Sequence, residues 1–242
     1  MNNRDEQFEE RLGHKFQNPE LLKRALTHSS ALPELRAASE GSLDPPEDNE
    51  QLEFLGDAVL DLLASEYLLE KFPTWSEGQL SKSRARLVNA QSLDLAARRL
   101  HLGEHLRLGR GEEKTGGREK PALLADAFEA VVAAIYLDAG LAAAREMLRA
   151  TLFEFALEER GSALFETDRK SALQEFLQGR GKPPAEYKLA AESGPDHQKT
   201  FEVEVWVNGS CMASGQGSTK KEAEQRAAGI ALERLEQTAM RS

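Results

Sequence analysis

Two spacings of apolar residues divide this chain. Up to about residue 159 they recur every three to four positions, and just beyond residue 200 they alternate one by one. The first spacing predicts helices and the second a strand. Residues 5–31 read as helical, with Leu21, Leu22, Ala25 and Leu26 on one face. Asn18-Pro19 marks a helix start, with Asn18 as cap and Pro19 in the first turn. Leu32 to Asp48 contains Gly41 and Pro45-Pro46 and predicts a polar loop, long enough to be mobile or functional. Further helices are expected over 50–71, 76–100, 119–138 and 141–158. Gly109 to Gly117 is too rich in glycine for a helix and is read as a connection.

Glu158 to Thr167 reads as a linker, and the pattern then changes. A helix over Arg169 to Gln178 precedes Gly179 and Pro183-Pro184. Phe201 to Val207 alternates with period two, and Asn208-Gly209 is a two-residue hairpin turn. Tyr187 to Ala190 and Cys211 to Ser214 supply flanking strands. Thr219-Lys-Lys-Glu222 matches a capping box that opens a helix reaching about Glu236. The predicted organisation is an all-α domain over 1–159, a linker over 160–167, and an α+β domain of α-β-β-β-α order over 168–238.

Composition narrows the setting. The chain has 242 residues, of which 40% are hydrophobic, an ordinary share for a globular protein. Its one cysteine, Cys211, excludes an intrachain disulfide and fits a reducing compartment. The polar N-terminus lacks the apolar core of a signal peptide, and no apolar run approaches a membrane span. A cytoplasmic protein without a membrane partner is expected. The net charge of -10 argues at first against a nucleic-acid partner. From Asp168 onward, however, eleven basic residues balance eleven acidic ones, so the whole deficit lies in the helical part. Polyanion binding must then rest on local basic patches.

The acids of the helical part form a pattern. Asn49 to Leu60 carries Glu50, Glu53 and Asp57, and Leu124 to Ala130 carries Asp126 and Glu129. At about 100° per residue, each set shares one helix face. Crowded carboxylates repel and take up protons unless a cation joins them. A hard divalent cation with oxygen ligands is the economical solution, and Mg²⁺ suits such a site. Gly56 and Ala58 on one helix, and Ala125, Ala127, Ala130, Ala133 and Ala134 on the other, allow close packing that would gather Glu53, Asp57, Asp126 and Glu129. Asp61 lies on the same face as a further ligand or an exposed acid. Two cations held in this way can activate water, relieve phosphoryl charge and stabilise a leaving oxygen. His28, at a helix end, is read as structural, and the five histidines show no metal-ligand spacing. Gly109 to Gly117 lacks the Gly-Lys-Ser/Thr end of a phosphate-binding loop, although Arg110, Lys114 or Arg118 could touch RNA.

The segment Asn49 to Leu60 closely resembles the signature of bacterial ribonuclease III. The resemblance extends through Ala25 to Ser30, Glu77-Gly78, Leu80-Ser81, Arg84, Leu87 to Asn89, and Leu108 to Ala130. It implies a homodimeric, metal-dependent endoribonuclease that cuts double-stranded RNA, with no organic cofactor. Its metal ligands would be Glu53, Asp57, Asp126 and Glu129, with Asp57 and Glu129 the pair most sensitive to mutation. Glu50 and Glu77 would be supporting acids near the cleavage point. The metal would be Mg²⁺, with Mn²⁺ able to substitute. Products would carry 5′-phosphate and 3′-hydroxyl ends, with a short 3′ overhang because each subunit cuts one strand. Phe54 and Leu55 are candidates for the apolar dimer interface. Leu32 to Asp48 departs from the family by being longer and more acidic.

The C-terminal part resembles a double-stranded RNA-binding domain through Ala172 to Glu175, Gly194-Pro-Asp-His197, Asn208-Gly209 and Ser218 to Glu224. Duplex RNA is read by shape, through 2′-hydroxyl and phosphate contacts. Lys220 and Lys221 open a helix, where positive side chains and free backbone donors face a phosphate together. His197 would reach a minor groove, and Gln174 and Glu175 would meet 2′-hydroxyls. Ribosomal RNA precursors are the expected main substrate by resemblance, with some messenger and transfer RNA precursors. Two rivals stand beside this reading. One is a non-catalytic double-stranded RNA-binding dimer, against which the intact acidic quartet argues. The other is a phosphohydrolase of small nucleotides, against which the C-terminal module argues.

Overall fold

The computed structural model describes residues 3–38, 45–157, 169–195 and 199–239. The chain divides into two compact units, Met1–Phe165 and Glu166–Ser242. The expected linker over 160–167 lies outside the described residues.

The first unit is helical: α1 (Asn3–Leu12), α2 (Pro19–Ala25), α3 (Leu32–Ala38), α4 (Glu50–Lys71), α5 (Glu77–Leu87), α6 (Ala90–Arg99), α7 (Leu102–His105), α8 (Arg110–Lys114) and α9 (Pro121–Leu148). Short 3₁₀ turns occupy Ser29–Ala31 and Gly117–Glu119, and a π-helical turn, Arg149–Phe153, follows α9. Caps explain several boundaries. Asn18 accepts from the Glu20 N–H at 3.2 Å, as the Asn-Pro start predicts. Ser76 and Gln79 form a capping box at α5. The helix expected over 76–100 is two helices, because extended Asn89 accepts from the Ser92 N–H and starts α6 afresh.

Three further expectations need correction. Residues 5–31 are not one helix. Between α1 and α2 the chain is a loop held by two carboxylates: buried Glu9 accepts from the Phe16 N–H, and Asp138 accepts from the N–H groups of Gln17 and Asn18 and contacts His14. Residues 32–48 are not all loop, since α3 fills the first seven. Gly109 to Gly117 does contain a helix, α8, whose glycines stand mostly at its ends rather than inside it. The expected interruption between 138 and 141 is present, however, as a break in α9 at Gly140.

The core of this unit forms where α4 packs on α9. Leu60, Leu63, Leu68, Phe128, Ile135, Leu148 and Phe153 are all fully enclosed. Each such side chain contributes roughly 1.5–3 kcal/mol relative to exposure. Pro121–Leu157 is, against expectation, long and apolar enough to cross a membrane. Its alanines raise its hydropathy, yet Ala125, Ala127, Ala130, Ala133 and Ala134 are buried in this core.

The second unit comprises α10 (Arg169–Gln178), β1 (Glu186–Ser193), β2 (Thr200–Val207), β3 (Ser210–Gly217) and α11 (Lys220–Ala239). The sheet is antiparallel in the order β1-β2-β3. Both flanking strands outrun their apolar cores, because ladder pairing with β2 continues through polar positions such as Glu192↔Phe201 and Gln216↔Glu202. Asn208 and Gly209 both have positive φ, 50° and 74°, which the two-residue turn requires. Val203, Val205 and Val207 are buried, and the last two pack with Leu173, Leu177, Ala227 and Ala228. The cap of α11 differs in one bond from that predicted. Thr219 Oγ1 accepts from the Glu222 N–H, but the Glu222 carboxylate takes the N–H of Ser218 rather than that of Thr219.

Candidate active site

The acids of α4 and α9 meet because the two helices nearly touch. A Cβ on Gly56 would lie 1.9 Å from the Glu129 carbonyl oxygen, inside any permitted contact. Only glycine admits this approach, and Glu53 lies one turn earlier on the same helix. Ala58, expected to help, is exposed and plays no part in it. Carboxylate oxygens of Glu53, Asp126 and Glu129 consequently lie within 4.8 Å of one another.

The charge environment matches that crowding. Burial pushes the Glu129 carboxyl up to about 8, helped by Asp57, Glu53, Asp126 and Asp61. Burial also raises Asp126, against an opposing pull from His28. Glu53 is raised by burial first and then by Asp126, Glu50 and Asp57. Three acids that all resist ionisation together form a site short of positive charge.

The other predicted residues fall into distinct positions. Asp57 is exposed on the next turn of α4, outside the 4.8 Å triad, yet it acts electrostatically on Glu129 and Glu53. Glu50 is exposed at the start of α4 and acts on Glu53. Glu77 instead opens α5, where it accepts from Ser81 Oγ at 2.8 Å. Asp61 faces Arg84 at 3.7 Å. His28 caps the 3₁₀ turn by accepting from the Ser30 N–H, in keeping with a structural role. Arg118, one of the residues that could touch RNA, is partly exposed and donates from its guanidinium to the carbonyls of Gly103, Glu104 and Leu106.

One pair escaped the sequence reading. Lys120, just before α9, donates to Glu112 at 2.5 Å and to Thr115 at 3.0 Å, tying α8 to the helix that carries Asp126. No local spacing signals a contact across a glycine-rich loop.

In the second unit, Gln174 and Glu175 are exposed on α10, and Lys220 and Lys221 are exposed in the first turn of α11. His197 lies outside the described residues. Lys220 also approaches the Phe201 ring at 5.7 Å.

A carboxylate cluster in a helical unit, followed by an α-β-β-β-α unit with lysines at a helix start, defines a class: a metal-dependent nuclease joined to a duplex-RNA module. Residues 18–155 match the family model described as Ribonuclease-III-like, and residues 170–235 match the Double-stranded RNA binding motif. The chain is 48% identical over 226 residues to Ribonuclease 3 of Bdellovibrio bacteriovorus, covering 93% of this chain and 94% of that one. It is 50% identical over 222 residues to Ribonuclease 3 of Heliobacterium modesticaldum, covering 92% and 91%. The crystal structure of the nuclease domain of ribonuclease III from Campylobacter jejuni is similar with a TM-score of 0.52 at 44% identity, covering 61% of this chain and 91% of that one. This chain belongs to the ribonuclease III family: it is a double-stranded-RNA endoribonuclease with a helical nuclease domain ahead of its RNA-binding module.

Proposed function

We propose that this endoribonuclease hydrolyses its phosphodiester bonds at the acidic cluster, with Glu53, Asp57, Asp126 and Glu129 holding Mg²⁺, for which Mn²⁺ substitutes. The observation that carries this reading is the convergence of Glu53, Asp126 and Glu129 within 4.8 Å. The donor set fits the group: every ligand is a carboxylate oxygen, and Glu129 stays protonated to about pH 8 when no cation accompanies it. When bound, divalent cations polarise the phosphoryl oxygens and lower the pKa of a coordinated water. Glu129 and Asp126 supply rigid ligands because α9 is packed in the core. Glu53 and Asp57 supply the facing pair from α4. Glu50 and Glu77 serve as supporting acids near the cleavage point.

Each catalytic unit would cut one strand, which requires two copies. A homodimer is supported by the face of α4 that leaves Phe54, Leu62 and Leu69 exposed, Phe54 at 81%. These residues recur along one side of the helix. A related solved structure, the Campylobacter jejuni nuclease domain, is described as flexible in a region involved in dimer formation. Cleavage would leave 5′-phosphate and 3′-hydroxyl ends. Gln174, Glu175, His197, Lys220 and Lys221 would hold the duplex, and ribosomal RNA precursors, with some messenger and transfer RNA precursors, would be processed in the cytoplasm.

The test is cleavage of a long RNA duplex with Mg²⁺ by wild type and Glu129→Gln. Wild type should release short duplexes, and the variant should bind RNA without cutting it. Binding without cleavage by both proteins would return the reading to a non-catalytic RNA-binding dimer.

A further inference from the structure

His28 is held where three stretches of backbone meet. Its N–H donates to the Arg107 carbonyl at 3.1 Å, and the Arg107 N–H donates to the Leu26 carbonyl at 2.8 Å. The Thr27 carbonyl takes the N–H of Asn49 at 2.9 Å, and the Asn49 carbonyl takes that of Glu53 at 2.8 Å. Backbone bonds thus lead from the residue before His28 to Glu53 of the cluster. On the other side, Arg107 leads to Gly109 and α8, whose Glu112 is tied to Lys120 just before α9. The first turn of α4 and the approach to α9 together fix where this residue stands.

The ring is half-buried, and its bonds define its chemistry. Nδ1 accepts from the Ser30 N–H at 3.2 Å and lies 2.8 Å from Ser30 Oγ, which itself accepts from the Gly109 N–H at 3.0 Å. A backbone N–H can only donate, so Nδ1 carries no proton and the ring proton sits on Nε2. The Gly109–Ser30 bond needs glycine, since a Cβ there would lie 2.1 Å from the Ser30 carbonyl oxygen. Capping the 3₁₀ turn occupies Nδ1 alone, and the Nε2–H is a second, separate group.

The ring also acts on the cluster. After burial, the charges that act on Glu53 and Glu129 are all acidic and push both further up. Asp126, likewise raised by burial, is pulled the other way by His28. Glu112, lowered first by its bond to Lys120, feels His28 as well. A permanent cation at this position would repel a divalent ion, whereas a neutral ring presents only its N–H dipole to the carboxylate.

We propose that His28 is a positioning residue for the cation site: Ser30 locks it as the Nε2–H tautomer, and that N–H, acting through Asp126, sets how tightly the cluster holds a divalent ion. The inference rests on the reading of the cluster as a cation site. Groups that stand behind metal ligands typically change metal affinity by about ten- to a hundredfold when removed.

The test is calorimetry of Mn²⁺ binding to the full chain without RNA, using two substitutions that separate the roles of the two ring nitrogens. His28→Asn keeps an acceptor near Nδ1 but no donor at Nε2, and His28→Gln keeps a donor near Nε2 but not the capping acceptor. The first should weaken Mn²⁺ binding about tenfold, and the second should stay within about threefold of wild type. His28→Asn should also raise the Mg²⁺ concentration for half-maximal cleavage by a similar factor, with the rate at saturating Mg²⁺ close to wild type. A role in capping alone predicts the reverse order, with His28→Gln the more damaging and the loss in stability rather than affinity. That order, or equal affinities in the two variants, overturns the proposal. Imidazole nitrogen NMR on wild type needs no variant to fold. It should show His28 as the Nε2–H tautomer with a resonance that moves on addition of Mg²⁺, and an Nδ1–H tautomer or an unmoved resonance also overturns the proposal. Failure of wild type to bind Mn²⁺, or binding unchanged in Glu129→Gln, would instead defeat the reading of the cluster itself.

Discussion

The two units use the same elements of design in opposite ways. In the helical unit the proposed site lies at a crossing of two helices, which brings carboxylates some seventy positions apart within 4.8 Å of one another. In the α-β-β-β-α unit the core is apolar, and the residues proposed to face RNA stand on its surface, at one helix start and on one helix face. A site made by packing shares its stability with its function. A site displayed on a surface is separable from stability. The same kind of mutation should then behave differently in the two units.

The largest expected effect is Gly56→Ala. Alanine is favoured over glycine in a helix interior by about 1 kcal/mol. A Cβ at 1.9 Å from the Glu129 carbonyl must nevertheless push α4 and α9 apart. Overpacking of this kind costs about 1–3 kcal/mol, so a net loss of stability is expected. More tellingly, cleavage should fall by orders of magnitude, because Glu53 separates from Asp126 and Glu129. The matched variant is Gly215→Ala, whose Cβ would sit 2.3 Å from the Ala227 nitrogen. It should destabilise the second unit comparably and weaken RNA binding, yet leave the cleavage rate at saturating RNA close to wild type. Thermal melts with single-turnover kinetics separate the two, and equal losses in the chemical step would erase the distinction.

The next effect concerns pH. Without metal, Glu129 keeps its proton to about pH 8 in the folded chain, against an ordinary value of 4.5. This group therefore supports folding fully below about pH 4.5, and that support is lost as pH rises toward 8. A divalent cation takes the place of the proton, so binding releases one. Mg²⁺ should raise the melting temperature of the helical unit most near pH 8 and least near pH 5, and Glu129→Gln should flatten that dependence. Calorimetry across this range, with and without Mg²⁺, would contradict the assignment if the two curves ran parallel.

The smallest effect is expected on the surface. Lys220→Ala with Lys221→Ala should leave the stability of the second unit within about 0.5 kcal/mol of wild type. Duplex binding should weaken evenly across sequences, with the salt slope reduced by about two. A shift in sequence preference instead would mean that these lysines read more than phosphate.

Much of this was legible in the chain itself. Period-two alternation in Phe201 to Val207 and the Asn-Gly turn located the hairpin, because strand and turn chemistry are local. Asn18 announced α2 for the same reason. The acidic pairs on α4 and α9 were visible as helix faces. What escaped notice depended on distant partners. The loop between α1 and α2 is held by Asp138, more than a hundred residues away. The Lys120–Glu112 tie crosses a glycine-rich segment whose helix, α8, composition argued against.

The sequence by itself determined most of the elements, the acidic and basic residue types, and the family, since periodicity, caps and motifs are written in neighbouring residues. Tertiary structure alone decided which carboxylates form the tight triad, that Asp57 stands a turn outside it, and that the Arg118 guanidinium joins the carbonyls of Gly103, Glu104 and Leu106. The reason is geometric. A helix face specifies a direction, but the distance between two faces is set by what packs between them, and here that is the absent side chain of Gly56.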